Sequence, residues 1–263
     1  LPFEIINTVN SYDETTLFCP AGMQKYKKEF KDISKTNTTI CNIQSCLRLN
    51  DLDSLGDGIH LGNFQMMGMF SFRHWSVPQT IDFWMEFLTK ELQLKIDYTT
   101  VHPDKKDWEK YHTVPIKYDE ECKWSDGDIG GYCTEFYINN IEIGNIVNPL
   151  ENCIDVGFGL ERLEFILTGN RPLSIEDSLE NTILKIIESG VFPSHTKQGY
   201  ILRKLMRLLY KKGGKMSHPL FLKEVERQLK MKDNYIKLFP KYKEKNKDWW
   251  YETHGISLDE INS

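Results

Sequence analysis

Asp155-Val156-Gly157-Phe158-Gly159-Leu160-Glu161-Arg162-Leu163 is the stretch whose reading decides the fold. A strand is expected to end at Ile154-Asp155. Gly157 and Gly159 then open a helix from about Leu160 to Leu167. Two glycines at such a junction let the backbone approach a ligand closely. An arginine on the first helical turn can point back into that space and meet a phosphate. Asp155, just ahead of the glycines, is suited to hold an ammonium group. The same residues also fit a plain strand, turn and helix with two structural glycines and a surface arginine.

Upstream, residues 40–49 and 63–72 are apolar-rich runs joined by a polar Asp/Gly/Asn-rich stretch, which reads as two antiparallel strands with a long loop. Ile81, Trp84, Met85, Leu88 and Leu92 recur at helical spacing, so residues 81–94 read as a helix packed on the sheet. Residues 101–121 are polar and lack a clear period. Residues 133–138 and 141–147 read as short strands turning at Asn139-Asn140. Downstream the character changes. Residues 175–189 and 199–212 carry helical spacing, with weaker helices over 220–229 and 246–254, punctuated by Gly190, Pro193, Gly213-Gly214 and Pro219. The fold class is therefore α+β, with domains over 1–170 and 171–263 and a boundary near 169–173.

The 263 residues, 40% hydrophobic and 12% aromatic, can fill a real core. No apolar run approaches the roughly 18 residues of a membrane span. The six cysteines form no CxxC pair and no tight Cys/His cluster, so structural zinc is not expected. Reduced thiols in a cytoplasmic setting are the simpler reading. The net charge of −5 conceals an asymmetry. Residues 195–247 hold 16 Lys/Arg against 4 Asp/Glu, and the remainder holds 17 against 34. An acidic body with a basic C-terminal segment suggests a small-molecule site joined to a polyanion-binding surface.

The glycine–arginine stretch resembles the third signature motif of class II aminoacyl-tRNA synthetases, in its alanyl form. Further ordered stretches are similar to the alanyl-tRNA synthetase family: Thr15 to Met23, Cys46-Leu47-Arg48 with Asn50-Asp51-Leu52-Asp53, Phe64 to Phe72, Trp124 with Gly127 to Tyr137, and Glu142 to Val147. Past Gly169, Ser189 to Ser194 and Gln198 to Lys204 are similar to the family's helical tRNA-recognition region.

The resemblance implies an antiparallel sheet flanked by helices, followed by a small helical domain. It implies ATP-dependent activation of alanine, or a similar small amino acid, to an aminoacyl-adenylate and transfer to the 3′ end of tRNA, with ATP and Mg2+ taking part. Arg48 would bind the α-phosphate and the substrate carboxylate. Arg162 would lie near the γ-phosphate, Phe64 would stack on adenine, and His60 and Gly159 would complete the ATP site. Trp124, Val147, Asp155 and Gly157 would line the amino-acid pocket. Arg203, Lys204, Arg207, Lys211 and Lys212 are candidates for phosphate contacts with tRNA. The chain departs from the family in a shortened loop after Arg48, which loses a lysine, and in Asp177-Ser178-Leu179-Glu180 where D-H-I-R is expected. No room is expected for an editing domain or a C-terminal oligomerising domain, and the sequence leaves oligomeric state open. Transfer to a carrier protein or metabolite, and an inactive RNA-binding module, are the alternative readings.

Overall fold

The computed structural model describes residues 1–49, 55, 59–170 and 174–262. The Asn50 to Asp53 match, and the stretch joining the first two long strands, lie largely outside them. The described chain divides into two compact units, Leu1–Ser174 and Ile175–Ser263.

The first unit is built on a nine-stranded sheet. Its strands are β1 (Phe3–Ile6), β2 (Thr38–Leu47), β3 (Asn63–Phe72), β4 (Tyr98–Val101), β5 (Ile116–Tyr118), β6 (Lys123–Asp126), β7 (Ile129–Ile138), β8 (Ile141–Val147) and β9 (Cys153–Gly159). Their order is β1-β2-β3-β9-β8-β7-β4-β5, with β6 paired to β7. The interior pairings are antiparallel, and only the edge pairs β1·β2 and β4·β5 are parallel. Asn139 and Asn140 turn β7 into β8 with φ of 52° and 62°, values that asparagine tolerates better than most residues.

Strand alternation sorts side chains to the two faces. Ile154, Val156 and Phe158 of β9 join Met69, Phe136, Ile143 and Ile146 in the main core. That core is covered by α2 (Val77–Glu86), whose Ile81, Trp84 and Met85 point inward, and by Leu163 of α3 (Leu160–Thr168). The opposite parity of β9 places Asp155, Gly157 and Gly159 on the other face. Phe70 and Phe72 share that face with Met23, Tyr26 and Phe30 from the short helical segments Gly22–Tyr26 and α1 (Lys27–Lys31).

Two sequence expectations about this unit need correction. Strand β9 does not end at Asp155 but runs through both glycines, because Gly157 pairs with Gly68 and Gly159 with Met66. Helix α2 begins at Val77, where Ser76 and Gln79 form a reciprocal capping box, and gives way to a π-turn over Phe87–Glu91. The polar run after Val101 carries a 3₁₀ segment, Pro103–Tyr111, and the edge strand β5.

The second unit holds α4 (Ile175–Glu188), α5 (Lys197–Lys211), α6 (Pro219–Tyr242), α7 (Lys247–His254) and α8 (Leu258–Asn262). Helix α6 continues far beyond residue 229. Met231, Tyr235, Leu238 and Tyr242 extend its inward face around Trp250 and Ile256. A buried ionic cluster ties the unit together. Glu224 receives Arg203 at 3.1 Å, Arg207 at 3.1 Å and Arg227 at 2.8 Å, and Glu260 also receives all three. Burial pulls the Glu224 carboxyl up, but Arg227 and Arg203 outweigh it and hold the group below its ordinary value. Its contribution is therefore present above the unfolded carboxyl pKa and lost as pH falls through the lower folded value. Glu224→Gln is expected to destabilise this unit by roughly 2–4 kcal/mol, because the buried guanidiniums lose one of their two counter-charges and keep only Glu260. Urea unfolding of the two proteins at pH 7 checks this, and a loss under about 1 kcal/mol, the level of an exposed pair, would contradict it.

Candidate active site

Where Asp155, Gly157 and Gly159 leave one face of the sheet low, a cleft of about 730 Å³ opens. It is lined by all nine residues expected to hold ATP or amino acid: Arg48, His60, Phe64, Trp124, Val147, Asp155, Gly157, Gly159 and Arg162. They come from the residue after β2, a residue just before β3, and from β3, β6, β8, β9 and α3, so only the sheet brings them together.

Arg48 follows β2. Its backbone N–H donates to Gly62 at 3.0 Å and its Nε to the Pro20 carbonyl at 3.1 Å. Its guanidinium lies 5.2 Å from the centre of the Phe64 ring, within cation–π range. Arg162 is set by two restraints. Glu161 beside it accepts the Gln65 backbone N–H through both oxygens, at 2.9 and 3.0 Å, which pins the start of α3 to β3. Arg162 itself donates from Nη1 to the Glu142 carbonyl at 2.8 Å and lies 3.5 Å from the Glu142 carboxylate. Glu142 reaches the cleft because β8 carries an extra residue, Ile143, between its pairings with Phe136 and Tyr137. That bulge returns Glu142 to the face shared by Asn145 and Val147.

Asp155 is 8% exposed. Burial pushes its carboxyl up to about 7, and no cation among the described residues opposes the shift. A carboxylate so placed gains most from a ligand that brings its own positive charge and hydrogen bonds. Trp124 and Val147 pack beside it against the buried thiols of Cys122 and Cys133. Besides Asp126, three carboxylates of the cleft received no role from the sequence: Glu135, Glu142 and Glu161. These three stand inside quoted motifs, and for Glu135, set between buried Thr134 and Phe136 on β7, strand alternation is the signal that could have singled it out. Burial is the first cause raising both Glu135 and Glu161.

The helical-unit candidates divide. Lys204, Lys211 and Lys212 are exposed on or beside α5. Arg203 and Arg207 are not surface cations. They are 3% and 5% exposed and committed to Glu224 and Glu260. Helical spacing put all five near one another, but Arg203 and Arg207 share the inward face with Leu202, Leu205, Met206 and Leu209.

The family model described as "tRNA synthetases class II (A)" matches residues 3–125. An alanine–tRNA ligase of Endomicrobium trichonymphae is 30% identical over 76% of this chain and 32% of its own length. Another, of Francisella philomiragia, is 28% identical over 78% of this chain and 33% of its own length. The chain is similar to alanine–tRNA ligases over about three quarters of its own length, and it spans about a third of the length of these relatives. Among solved structures, a pyrrolysyl tRNA synthetase of Desulfitobacterium hafniense is similar to this chain. The TM-score is 0.39 and the identity 15%, covering 60% of this chain and 52% of that one. No described helix is long and apolar enough to cross a membrane.

Proposed function

We propose that this chain activates alanine, or a similar small amino acid, with ATP and passes the aminoacyl group to the 3′ end of a tRNA. The observation that carries the reading is a buried carboxylate, Asp155, sharing one cleft with two arginines, Arg48 and Arg162. Such a site can take a zwitterion by its ammonium and a polyphosphate by its charge. Asp155 binds the α-ammonium, and Arg48 binds the carboxylate and the α-phosphate. The substrate carboxylate attacks the α-phosphorus and pyrophosphate leaves. Arg48 offsets charge on the pentavalent transition state, and Arg162 binds the γ-phosphate. No enzyme nucleophile is required, and catalysis is positioning plus charge stabilisation.

Phe64 offers its ring to adenine, and His60 and Gly159 border the nucleotide. Mg2+ would accompany ATP and supply positive charge toward the leaving pyrophosphate, and Glu142 would offer it a hard oxygen donor. Trp124 and Val147 limit the side chain, and Gly157 keeps the floor low. Such an apolar wall discriminates a single methylene by only about 1–3 kcal/mol, so glycine and serine are weak competitors rather than excluded ones.

The test is ATP–pyrophosphate exchange against all twenty amino acids. Alanine is expected to give the strongest signal, and Arg162→Ala to remove it. Silence across the panel would sink the activation reading. For the acceptor, Lys204, Lys211 and Lys212 supply phosphate contacts from the helical unit. Replacing all three with alanine is expected to weaken binding of a tRNA transcript and to lower the log–log salt slope by up to about 3, near 0.9 per lost contact. An unchanged slope would remove these lysines from the interface.

A further inference from the structure

Cys122 and Cys133 stand eleven positions apart and form no motif that a linear reading detects. The β6–β7 hairpin sets them opposite each other. Its pairs run from Asp126↔Ile129 to Lys123↔Tyr132, and the next rung joins Cys133 N–H to the Cys122 carbonyl at 3.1 Å. The two Sγ atoms are 3.3 Å apart. Glu135, two residues on and so on the same face of β7, brings its Oε1 to 3.8 Å from Cys133 Sγ. Its Oε2 is held by the Thr100 hydroxyl at 3.0 Å and by the Tyr137 hydroxyl at 2.8 Å. Thr100 Oγ1 also lies 3.3 Å from Cys122 Sγ. The three donor atoms fall within 4.8 Å of one another, and no other such trio of His, Cys, Asp or Glu occurs among the described residues.

We propose that Cys122, Cys133 and Glu135 form a binding site for a divalent d¹⁰ cation, Zn2+ before others. Thiolate ligands select against Mg2+ and Ca2+, whereas two sulfurs and one carboxylate suit zinc. The distances fit an ion better than a disulfide. With Zn–S bonds of about 2.3 Å, tetrahedral sulfurs sit roughly 3.8 Å apart, so the pair opens by about half an ångström. A disulfide would instead need the sulfurs to close to about 2.05 Å, and would leave the Glu135 carboxylate without a counter-charge. Metal ligation needs the thiolates, so both thiols deprotonate on binding and their two protons leave to solvent. Three protein ligands leave a fourth position for a non-protein donor, and Glu135 lines the cleft. Trp124 and Val147 pack on the same thiols, so the ion would also fix that wall of the cleft.

Cobalt provides the test, independently of whether the chain activates an amino acid. The reduced, chelator-treated full chain is titrated with Co2+. One equivalent is expected to bind with a near-ultraviolet thiolate-to-cobalt band and visible bands of a tetrahedral ion. Zn2+ is expected to displace it, with release of about two protons per ion. Cys122→Ser and Cys133→Ser should each lose the two-thiolate band. Glu135→Gln should keep the band but weaken affinity at least about tenfold. Cys19→Ser, in the other buried cysteine pair with Cys46, should change nothing. If the serine variants fail to fold, the intensity of the wild-type band decides, since it counts bound thiolates and two are expected. A wild-type chain with no thiolate band, or a band that survives in folded Cys122→Ser and Cys133→Ser, would overturn the site.

Discussion

Arg48→Ala is expected to lower alanine-dependent ATP–pyrophosphate exchange by about 10²–10³-fold, mostly in kcat, while the protein stays folded. The argument rests on what the guanidinium does when no substrate is present. Among the described residues it makes one hydrogen bond, to Pro20, and lies over Phe64. Losing those contacts costs about 1–2 kcal/mol of stability, a modest fraction of what holds such a unit together. The charge that builds on the α-phosphate exists only during reaction, so its loss appears in the rate and not in the fold. Arg48→Lys separates charge from shape. A lysine keeps the positive charge but lacks the planar fork, and activity between wild type and alanine is expected. Exchange assays paired with a thermal melt check both variants. Exchange within a few-fold of wild type in folded Arg48→Ala would remove this residue from the reaction.

Much of this site was legible in the sequence, because the motifs are local even though the site is not. Gly157, Gly159 and Arg162 sit within six positions, and strand-to-helix geometry alone sets their relation. Arg48 and Trp124 could be joined to them only by resemblance, since nothing in their spacing states that β2, β6 and β9 border one cleft. Two physical facts escaped a linear reading. The bulge at Ile143, which turns Glu142 toward Arg162, leaves no compositional trace. The burial of Arg203 and Arg207 was hidden because helical periodicity scores an arginine as surface. Their partners, Glu224 and Glu260, lie on α6 and α8, far along the chain. The same limit hid the proximity of Cys122 and Cys133, which depends on the register of one hairpin. Helix α6 was cut short for a simpler reason. Its inward face beyond residue 229 is built of Met231, Tyr235 and Leu238 set among lysines, and the mixture dilutes the apolar signal.

Asp155→Asn is expected to make the chain more stable at pH 8 and to cripple amino-acid activation. The sign follows from the shift. The carboxyl ionises at about 7 in the folded chain against an ordinary 3.8, so between these values the folded state binds more protons than the unfolded one. Stability therefore falls as pH rises through that window, and above 7 the full penalty of an ionised, buried, uncompensated carboxylate is present. It is on the order of 4 kcal/mol, given about 1.4 kcal/mol per pKa unit. Asparagine removes the charge with little change of shape, so the stability gap between variant and wild type should open with rising pH and close toward pH 4. Function should move the other way. The ammonium of the amino acid is the missing counter-charge, and without it KM for alanine should rise by 10²-fold or more, while ATP binding holds, since truncating one partner of a buried charge pair costs about 2–5 kcal/mol. In the wild type, kcat/KM for the amino acid should climb with pH to a plateau above about 7, as the carboxylate forms in the free enzyme. Urea unfolding at pH 5 and pH 8, with exchange kinetics across the same range, measures both halves. A variant that gains no stability at pH 8 would mean that Asp155 already has a counter-charge. One that gains stability but keeps its KM would mean that the ammonium binds elsewhere in the cleft.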